Sequence, residues 1–401
     1  MNRRYRVIVI GAGPTGLALA LALGMAGVDV LVLEAEPGLT RDLRAGSYHP
    51  PTIEMLAGLG VAERMHDAGI VVPVWQVRDR VDGVIAEFDL SLLRDETPYP
   101  YRLHLEQHRL TPMLLDRLTA TSSVTVRFGA EVTAVEQDAE RVTVAVGDER
   151  LHADWLVGCD GARSVARRSQ TIPFEGFTWP ERLLVASTTY DLGRHGFADA
   201  GYIADPDDWA AVFRVPDDGP PGLWRIAYPT DHAVPEAEVL ADDAIQPRLA
   251  KILEHVDTGV ERYTLKYRRT YRVHQRVAET FRRGRVVLAG DAAHLNNPLG
   301  GFGLNGGIHD AVNLAEKLVR IVGGGDARLL DLYDRQRRPI TVAFIQAMSI
   351  RNKRMIEQRD PAVRRRHQSE LRATAADPAK ARAYLMDSSM LSSVRDAAAV
   401  T

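Results

Sequence analysis

The sequence predicts an α/β protein with a parallel βαβ unit at its N-terminus and a second, mostly antiparallel β unit. An apolar strand over residues 6–10, a helix over 17–27 and a strand over 30–33 alternate at the start. Period-two alternation broken by turn residues begins near residue 124. After the glycines at 323–325 the chain is helical and rich in arginine to its end.

The composition is typical of a globular chain from a reducing compartment. With 401 residues, 45% of them apolar, the chain can bury a large core in two or three structural units. A net charge of -3 gives no electrostatic reason to expect nucleic acid as a partner. The single cysteine, Cys159, excludes an internal disulfide and a thiolate-rich metal site, and we predict no bound metal.

The N-terminus carries arginines before an apolar run, as a signal peptide does. That run, residues 17–26, is too short to span a bilayer, and no small-residue cleavage site follows it. We therefore expect a cytoplasmic protein with no membrane partner.

The stretch "GAGPTG" lies between the first strand and the first helix and is typical of a dinucleotide-binding turn. Gly11 permits the tight turn, Gly13 lets a pyrophosphate approach the backbone, and Gly16 lets the helix pack on the strand. An acid about twenty residues on, at the end of the second strand, would accept hydrogen bonds from a ribose. NAD and FAD fit this pattern equally well. The predicted contacts are Gly11, Ala12, Gly13, Thr15, Gly16, Glu34 and Ala35.

Two further turns follow apolar strands. Asp160-Gly161 follows residues 155–158, and Gly290-Asp291 follows residues 286–289 and opens a glycine-rich loop, "GDAAHLNNPLGGFGLNGG". Because Asp-Gly is the commonest turn dipeptide, the first of these also fits a plain β-turn.

Residues 124–152 predict an antiparallel meander. A second, mostly antiparallel unit is expected between residues 171 and 274, with short strands at 184–190, 209–215 and 223–228 and a helix near 239–254. Alternation places two sets of side chains on strand faces, where they either line a pocket or form ordinary core. The sets are Trp209, Ala211 and Phe213 on one strand, and Trp224, Ile226 and Tyr228 on another.

In this order and at this wide spacing, the three motifs resemble those of the single-component, FAD-dependent aromatic hydroxylases of the p-hydroxybenzoate hydroxylase type. The likeness covers residues 1 to about 340 and includes "LRAGSYHPPTIEML", "LHLEQHRL" and "YDRQRRP". It implies a Rossmann-like FAD-binding domain with an inserted, mostly antiparallel β substrate domain and C-terminal helices. The implied ranges are 1–72, 101–168 and 276–325 for FAD, 73–100 and 169–275 for substrate, and 326–401 for the helical segment.

The resemblance also implies roles for single residues. Arg44 would contact the FAD pyrophosphate, and Gln107 the ribityl region. Val132 would contribute a backbone contact near adenine, Asp160 would serve both FAD and NAD(P)H, and Asp291 would accept from a ribityl hydroxyl. From the residues alone, Gln107 also fits a surface helix cap and Val132 an ordinary strand position.

The glycine-rich loop leads into a helix that we expect to start at Gly303, Leu304 and Asn305. Backbone N–H groups at a helix N-terminus stabilise the negative charge of a reduced flavin. By resemblance, Pro298 lies beside the substrate at the reactive edge of the flavin. Many relatives carry a polar residue where this chain has Phe302.

Several side chains are candidates for deprotonating a phenol, and the sequence does not choose among them. His294 fits either a base or a turn cap. The other candidates are Tyr190, Tyr202, His49 and His104.

The resemblance implies that NAD(P)H reduces FAD and that a flavin hydroperoxide then hydroxylates a phenolic or other electron-rich aromatic molecule inside a closed, apolar pocket. Two alternatives stay open: a FAD-dependent reductase acting without oxygen, and a flavin-binding protein without catalysis. The expected partners are a small aromatic substrate and oxygen. We expect a monomer or homodimer, with the arginine-rich stretch 351–366 as a solvated helix face or subunit contact.

Overall fold

The structure is a computed structural model and describes residues 4–41 and 46–401. Its strands in chain order are β1 (Arg4–Ile10), β2 (Val30–Leu33), β3 (Ser47–Tyr48), β4 (Ile70–Val72), β5 (Val74–Asp79), β6 (Gly83–Asp89), β7 (Arg102–His104), β8 (Val124–Arg127), β9 (Val132–Gln137), β10 (Val142–Val146), β11 (Glu149–Gly158), β12 (Phe174–Thr188), β13 (Ala200–Ala204), β14 (Ala210–Val215), β15 (Leu223–Asp231), β16 (Leu265–Ala278), β17 (Arg282–Arg283), β18 (Val286–Leu288) and β19 (His294–Leu295).

Helices follow the strands and fill the C-terminal part of the chain. They are α1 (Pro14–Met25), α2 (Pro50–Gly58), α3 (Ala62–Ala68), α4 (Gln107–Thr119), α5 (Val165–Ser169), α6 (Glu236–Val239), α7 (Asp242–Ile252), α8 (Phe302–Val322), α9 (Leu329–Ile340), α10 (Ala347–Ile356), α11 (Pro361–Ala376), α12 (Pro378–Ser388) and α13 (Leu391–Ala399). A π-helical turn, Thr341–Gln346, joins α9 to α10. No helix of the described ranges has both the length and the apolar character needed to cross a membrane.

The first sheet is built around parallel strands in the order β8, β2, β1, β11 and β18. Its central strands β1 and β2 are continuous apolar runs, and their central side chains are fully buried. Such runs are typical of parallel strands covered on both faces. Helix α1 packs against α4 and α8. The parallel strands therefore end at one common edge, where all three motifs begin.

The second sheet has the strand order β19, β16, β12, β15, β14, β13, β5 and β6. Neighbours are antiparallel except β13 and β5. One face of this sheet packs on α7 through a cluster that includes Leu184, Ile226 and Leu249. The opposite face carries a cluster that includes Leu183 and Tyr202 and reaches the C-terminal helices.

A third, small sheet of β3, β7 and β4 adjoins the second, since the side chain of His104 on β7 contacts Phe213 on β14. The C-terminal helices are attached to the second sheet, since α11 packs on β6 and α12 on the turn Leu90–Leu93. Ion pairs from Glu96 to Arg382 and Arg395 strengthen this attachment.

The predicted βαβ unit and the C-terminal helices are confirmed. The predicted meander is wrong in its first strand, because β8 pairs with β2 in parallel, whereas β9, β10 and β11 form the antiparallel part. Side chains alternate between the two faces of a strand in parallel and antiparallel sheets alike, so a period of two residues does not distinguish the two kinds of pairing. Residues 73–100 and 169–275 contribute strands to one sheet.

Candidate active site

The glycines of the first turn are required by close contacts. Gly11 has a φ of +101°, and a Cβ there would lie 2.5 Å from the carbonyl oxygen of Cys159. A Cβ on Gly16 would overlap the carbonyl oxygen of Gly11. At Gly13, by contrast, a Cβ would meet nothing within 4 Å. The first and last glycines therefore close the packing of the turn, while the middle one faces open space.

Helix α1 begins at this open position. Gly13 is its N-cap, and no side chain caps it, so the N–H groups of the first turn are available to an anion. The backbone N–H of Ala12 donates to Oε2 of Glu34 over 2.7 Å, which fixes the carboxylate at the end of β2. Ala35 is exposed beside it.

Two predicted contacts lie near these turns. Val132 is the buried first residue of β9, and the loop before it is tied to Glu34, whose carbonyl accepts from the N–H of Ala130 over 2.8 Å. Gln107 is the first residue of α4 and is half-buried, and its amide forms no hydrogen bond with the part of the chain that is described. Arg44 lies outside the described residues.

The second and third motifs contact the first. Oδ2 of Asp160 accepts from the N–H groups of Val165 and Ala166, at 2.6 and 3.1 Å, and so caps α5. Burial raises the pKa of Asp160. Gly290 and Thr15 fit so closely that a Cβ on Gly290 would lie 2.7 Å from Oγ1 of Thr15.

Asp291 follows Gly290 and is exposed at the same edge. A Cβ on Gly307 in α8 would also overlap Thr15. The three motifs, far apart in sequence, therefore form one continuous edge of the first sheet.

The loop before α8 presents a second free helix end. Gly301 has a φ of +71° and is the N-cap of α8, again without a side-chain cap. Oδ1 of Asn305 accepts from the N–H of His49 over 2.9 Å, and its Nδ2 donates to the carbonyl of Ser47 over 2.8 Å. The Asn305 side chain thus anchors α8 to β3. The N–H groups of the first turn, which includes Gly303 and Leu304, meet no side-chain cap.

These features fit FAD. One uncapped helix end with open space at Gly13 suits a pyrophosphate, and the second, on α8, suits the charged edge of a flavin. Glu34 lies where a ribose would be bound.

Gly300 in the loop before α8 is held from both sides. Its backbone N–H faces the hydroxyl of Tyr202 in the second sheet, and its carbonyl accepts from Nε2 of His49 over 2.7 Å. The exposed Pro298 precedes it, and the carbonyl of Pro298 accepts from the N–H of Gly301 over 2.9 Å. This loop therefore connects the edge of the first sheet to the second sheet.

Tyr202, His104 and His49 are uncharged at neutral pH. Burial raises the pKa of Tyr202 to about 12. Burial also lowers the pKa of His104 to about 4 and that of His49 well below its usual value. Nδ1 of His104 donates to the carbonyl of Arg214 over 2.7 Å. Tyr202 thus remains a hydrogen-bond donor, and both histidines are neutral.

The second sheet offers a shallow floor on the same side. Tyr202, Ala211, Ala227 and Val185 lie opposite one another on four successive strands and so share one face. The middle side chains of this row, which begins at Tyr202, are small.

Comparisons with known proteins agree with this geometry. The chain matches the family described as FAD binding domain over residues 4–348. It is 38% identical, over 95% of its length and 94% of the relative's, to para-nitrophenol 4-monooxygenase of Pseudomonas sp. (strain WBC-3). It is 33% identical to 6-hydroxy-3-succinoylpyridine 3-monooxygenase HspB of Pseudomonas putida (strain DSM 28022 / S16), over 90% of this chain and 91% of the relative.

The crystal structure of p-nitrophenol 4-monooxygenase PnpA from Pseudomonas putida DLL-E4 has the same fold. It superposes with a TM-score of 0.92 at 36% identity, covering 98% of this chain and 99% of that one. The chain belongs to this family of FAD-dependent monooxygenases.

Several predictions are thereby confirmed. The monooxygenase has the p-hydroxybenzoate hydroxylase type of fold, FAD is its cofactor, and NAD(P)H is the reductant typical of such enzymes. The alternatives of a reductase acting without oxygen and of a protein without catalysis are not supported, because the relatives are monooxygenases.

Tyr190 does not join the other candidate side chains of the monooxygenase. Its hydroxyl donates to the carbonyl of Thr258 over 2.9 Å and lies 2.6 Å from Nε2 of His195. It packs on the α7 side of the second sheet, together with Trp224, Ile226 and Tyr228. These side chains form core there, since the sheet separates them from Tyr202.

Two residues of the glycine-rich loop also have structural partners. Nε2 of His294 lies 2.8 Å from Oδ2 of Asp310, and both side chains are fully buried. The Phe302 ring is buried, stacks on His49 and packs against Ile345 and other side chains from the C-terminal part of the chain. The loop is thus braced on the side away from the row of small residues.

Sequence reasoning missed a buried ion network and a buried arginine. Asp310 accepts from Nε of Arg337 over 2.7 Å and from the N–H of Gly290 over 3.0 Å, so it holds the third motif in place. Arg337 lies in the quoted stretch "YDRQRRP", which was a usable signal. The buried arginine is Arg102, which lies on β7 two residues before His104. Its signal in the sequence was a charged residue within a short strand.

Proposed function

We propose that this monooxygenase hydroxylates a small phenol, of which para-nitrophenol is the first to test. The observation that carries the proposal is the position of Gly300, whose carbonyl accepts from His49 and whose backbone N–H faces the hydroxyl of Tyr202. It supports a substrate-binding site, called the seat below, between the loop before α8 and the row of small residues on the second sheet. The relatives named for para-nitrophenol, one of them similar over nearly the whole chain, support the substrate class.

FAD, when bound, supplies the redox chemistry by accepting a hydride from NAD(P)H and activating oxygen. We assign its binding to the predicted residues of the three motifs and α8. Open space at Gly13 supports the pyrophosphate contact, and the uncapped first turn of α8 supports stabilisation of negative charge by Gly303, Leu304 and Asn305. Arg44, Gln107, Val132, Asp160 and Asp291 keep the roles that the resemblance implies.

The chain's own residues orient the phenol and keep water out. Pro298 lies next to Gly300 and faces the seat in this proposal, while Tyr202 donates a hydrogen bond to the phenolic oxygen. The neutral His104 and the Phe213 ring close one side of the seat. An apolar, closed seat protects a reactive oxygen intermediate from water.

Other assignments rest on the sequence. We propose the domain ranges 1–72, 101–168 and 276–325 for FAD, 73–100 and 169–275 for substrate, and 326–401 for the helical segment. A cytoplasmic monomer or homodimer is proposed, in keeping with the one free cysteine.

Oxygen uptake by the FAD-loaded protein tests the function. NADH or NADPH is supplied with each member of a panel of phenol, para-nitrophenol, 4-hydroxybenzoate and a hydroxypyridine. We expect para-nitrophenol to accelerate oxygen uptake. When the reaction is run under isotopically labelled oxygen gas, its product should contain one labelled oxygen atom. If a non-phenolic compound alone accelerates uptake, the substrate class is wrong. Faster NAD(P)H loss without oxygen uptake would instead indicate a reductase.

A further inference from the structure

Arg102 is a buried cation without a counter-ion among the described residues. Its side chain is only 8% exposed, and it forms no hydrogen bond or ion pair with any residue of the described ranges. Its guanidinium lies 5.4 Å from the centre of the Trp75 ring. Burial lowers the pKa of Arg102, yet a guanidinium stays protonated in proteins. A buried, unpaired charge is costly, so an anion is expected to complete the site.

The other buried arginines of the described chain show how unusual this is, because each of them has a partner. Arg225 pairs with Glu106, and Arg337 pairs with Asp310. The remaining two donate to backbone carbonyls: Arg78 to Gly196, over 2.9 Å, and Arg167 to Ala292, over 2.7 Å. Arg102 is therefore the exception within one protein, which separates it from arginines that serve structure.

Within the described part of the chain, the titratable groups that face Arg102 come from four separate places, and none is acidic. Tyr202 is on β13, Tyr384 on α12, His104 on β7 and His49 just before α2. Burial raises the pKa of both tyrosines and lowers the pKa of both histidines. All four are uncharged at neutral pH, so the site carries one unbalanced positive charge.

The placement of this charge points to the substrate. Arg102 and His104 alternate on β7 and so project to the same side, toward Phe213 and Tyr202. The hydroxyl of Tyr202 faces the backbone N–H of Gly300 and keeps its proton at neutral pH, so it can donate that proton to a ligand. Arg102 and Tyr202 can therefore act on one oxygen atom next to the loop before α8.

We propose that Arg102 binds the phenolate oxygen of the aromatic substrate, so that the monooxygenase takes its phenol as the anion. This inference rests on the proposed function, because it assumes a phenolic substrate in the same seat. A positive charge beside the oxygen favours the ionised form and lowers the pKa of the bound phenol. The ionised ring is richer in electrons, which suits an electrophilic hydroxylation.

The test uses the visible absorbance of the nitrophenolate ion in the FAD-loaded protein without reductant, so that no turnover is needed. Para-nitrophenol is titrated with pH, free and bound, in the wild type and in Arg102→Met. We expect the bound phenol to ionise at lower pH than the free one in the wild type only. We also expect the dissociation constant of the phenolate to rise at least about tenfold in Arg102→Met. Arg102→Lys should recover part of both effects.

Two controls separate binding from folding. 4-Nitroanisole has the same ring and nitro group but no ionisable hydroxyl, so Arg102→Met should not weaken its binding. Melting of the ligand-free proteins is the second control. Arg102→Met should be at least as stable as the wild type, whereas Arg78→Met should be less stable because it removes the donor to Oε1 of the buried Gln76.

Three outcomes would overturn the proposal. Unchanged ionisation of the bound phenol in Arg102→Met would exclude Arg102 as the counter-ion while leaving phenol hydroxylation intact. An equal loss of 4-nitroanisole binding would assign Arg102 to the nitro group or to the shape of the seat. Failure of the wild type to bind any phenol, tested separately by oxygen uptake, would remove the substrate class as well.

Discussion

The buried ion network around Asp310 gives the sharpest stability prediction. Its two carboxylate oxygens accept from His294 and Arg337, at 2.8 and 2.7 Å, and from the N–H of Gly290. Asp310→Asn removes the charge and keeps the shape. The guanidinium of Arg337 is then left buried without a counter-charge among the described residues, with only neutral acceptors such as the new amide oxygen and the carbonyl of Gly306, 3.4 Å away. Loss of one member of a buried ion pair costs about 3–5 kcal/mol of unfolding free energy, and we expect about 3 here.

The pH dependence of stability gives an independent estimate. Burial alone would raise the pKa of Asp310, but Arg337 and His294 lower it from 3.8 to about 2. The folded pKa thus lies below the unfolded one, so the carboxylate stabilises the fold above about pH 4. This contribution is lost as the pH falls through about 2 and amounts to about 2 kcal/mol, at about 1.36 kcal/mol per pKa unit.

Urea unfolding of the FAD-free protein, followed by circular dichroism, measures both effects. Unfolding free energies are compared at neutral pH and at steps down to the lowest pH at which the protein still folds. Asp67→Asn, on the exposed face of α3, is the matched control and should change stability by less than about 0.5 kcal/mol. If Asp310→Asn is also within about 1 kcal/mol of the wild type, the network does not stabilise the fold and the reasoning is refuted. Weaker FAD binding is expected as well, because Asp310 holds the turn that carries Asp291.

Three further predictions concern the cofactor and substrate sides. Gly13→Ala should leave the melting temperature of the FAD-free protein unchanged but weaken FAD binding, measured by flavin fluorescence, because its Cβ meets only the space assigned to the pyrophosphate. Gly16→Ala should lower both the melting temperature and the affinity for FAD, and an unchanged melting temperature would contradict the overlap with the Gly11 carbonyl. Tyr202→Phe should reduce kcat/KM for the phenol about tenfold at unchanged FAD content, whereas Tyr190→Phe should lose about 1 kcal/mol of stability and keep its kinetics. Equal kinetic losses in the two tyrosine variants would place both in the site.

The turn of the first motif and the family could be predicted from sequence because their requirements are local. Gly11 and Gly16 are needed wherever a strand turns tightly into a helix and packs against it, so the pattern is legible without a structure. The same holds for Glu34, which ends β2 at the expected distance. The substrate side was predicted less well. Tyr190 and Tyr202 were equal candidates in the sequence. Only the strand pairing of the second sheet shows that they lie on its opposite faces.

By itself the sequence determined the βαβ unit, the three cofactor motifs and the family resemblance, because each depends on short-range spacing. The tertiary structure alone decided that β8 joins the parallel sheet, that His294 is held by Asp310, and that Arg102 is buried with no acidic partner in the described ranges. The charge environment of a residue depends on elements that are distant in the chain, and here β7, β13 and α12 converge on one guanidinium. A local pattern cannot record that convergence, since the same strand residues would be paired or exposed in another packing.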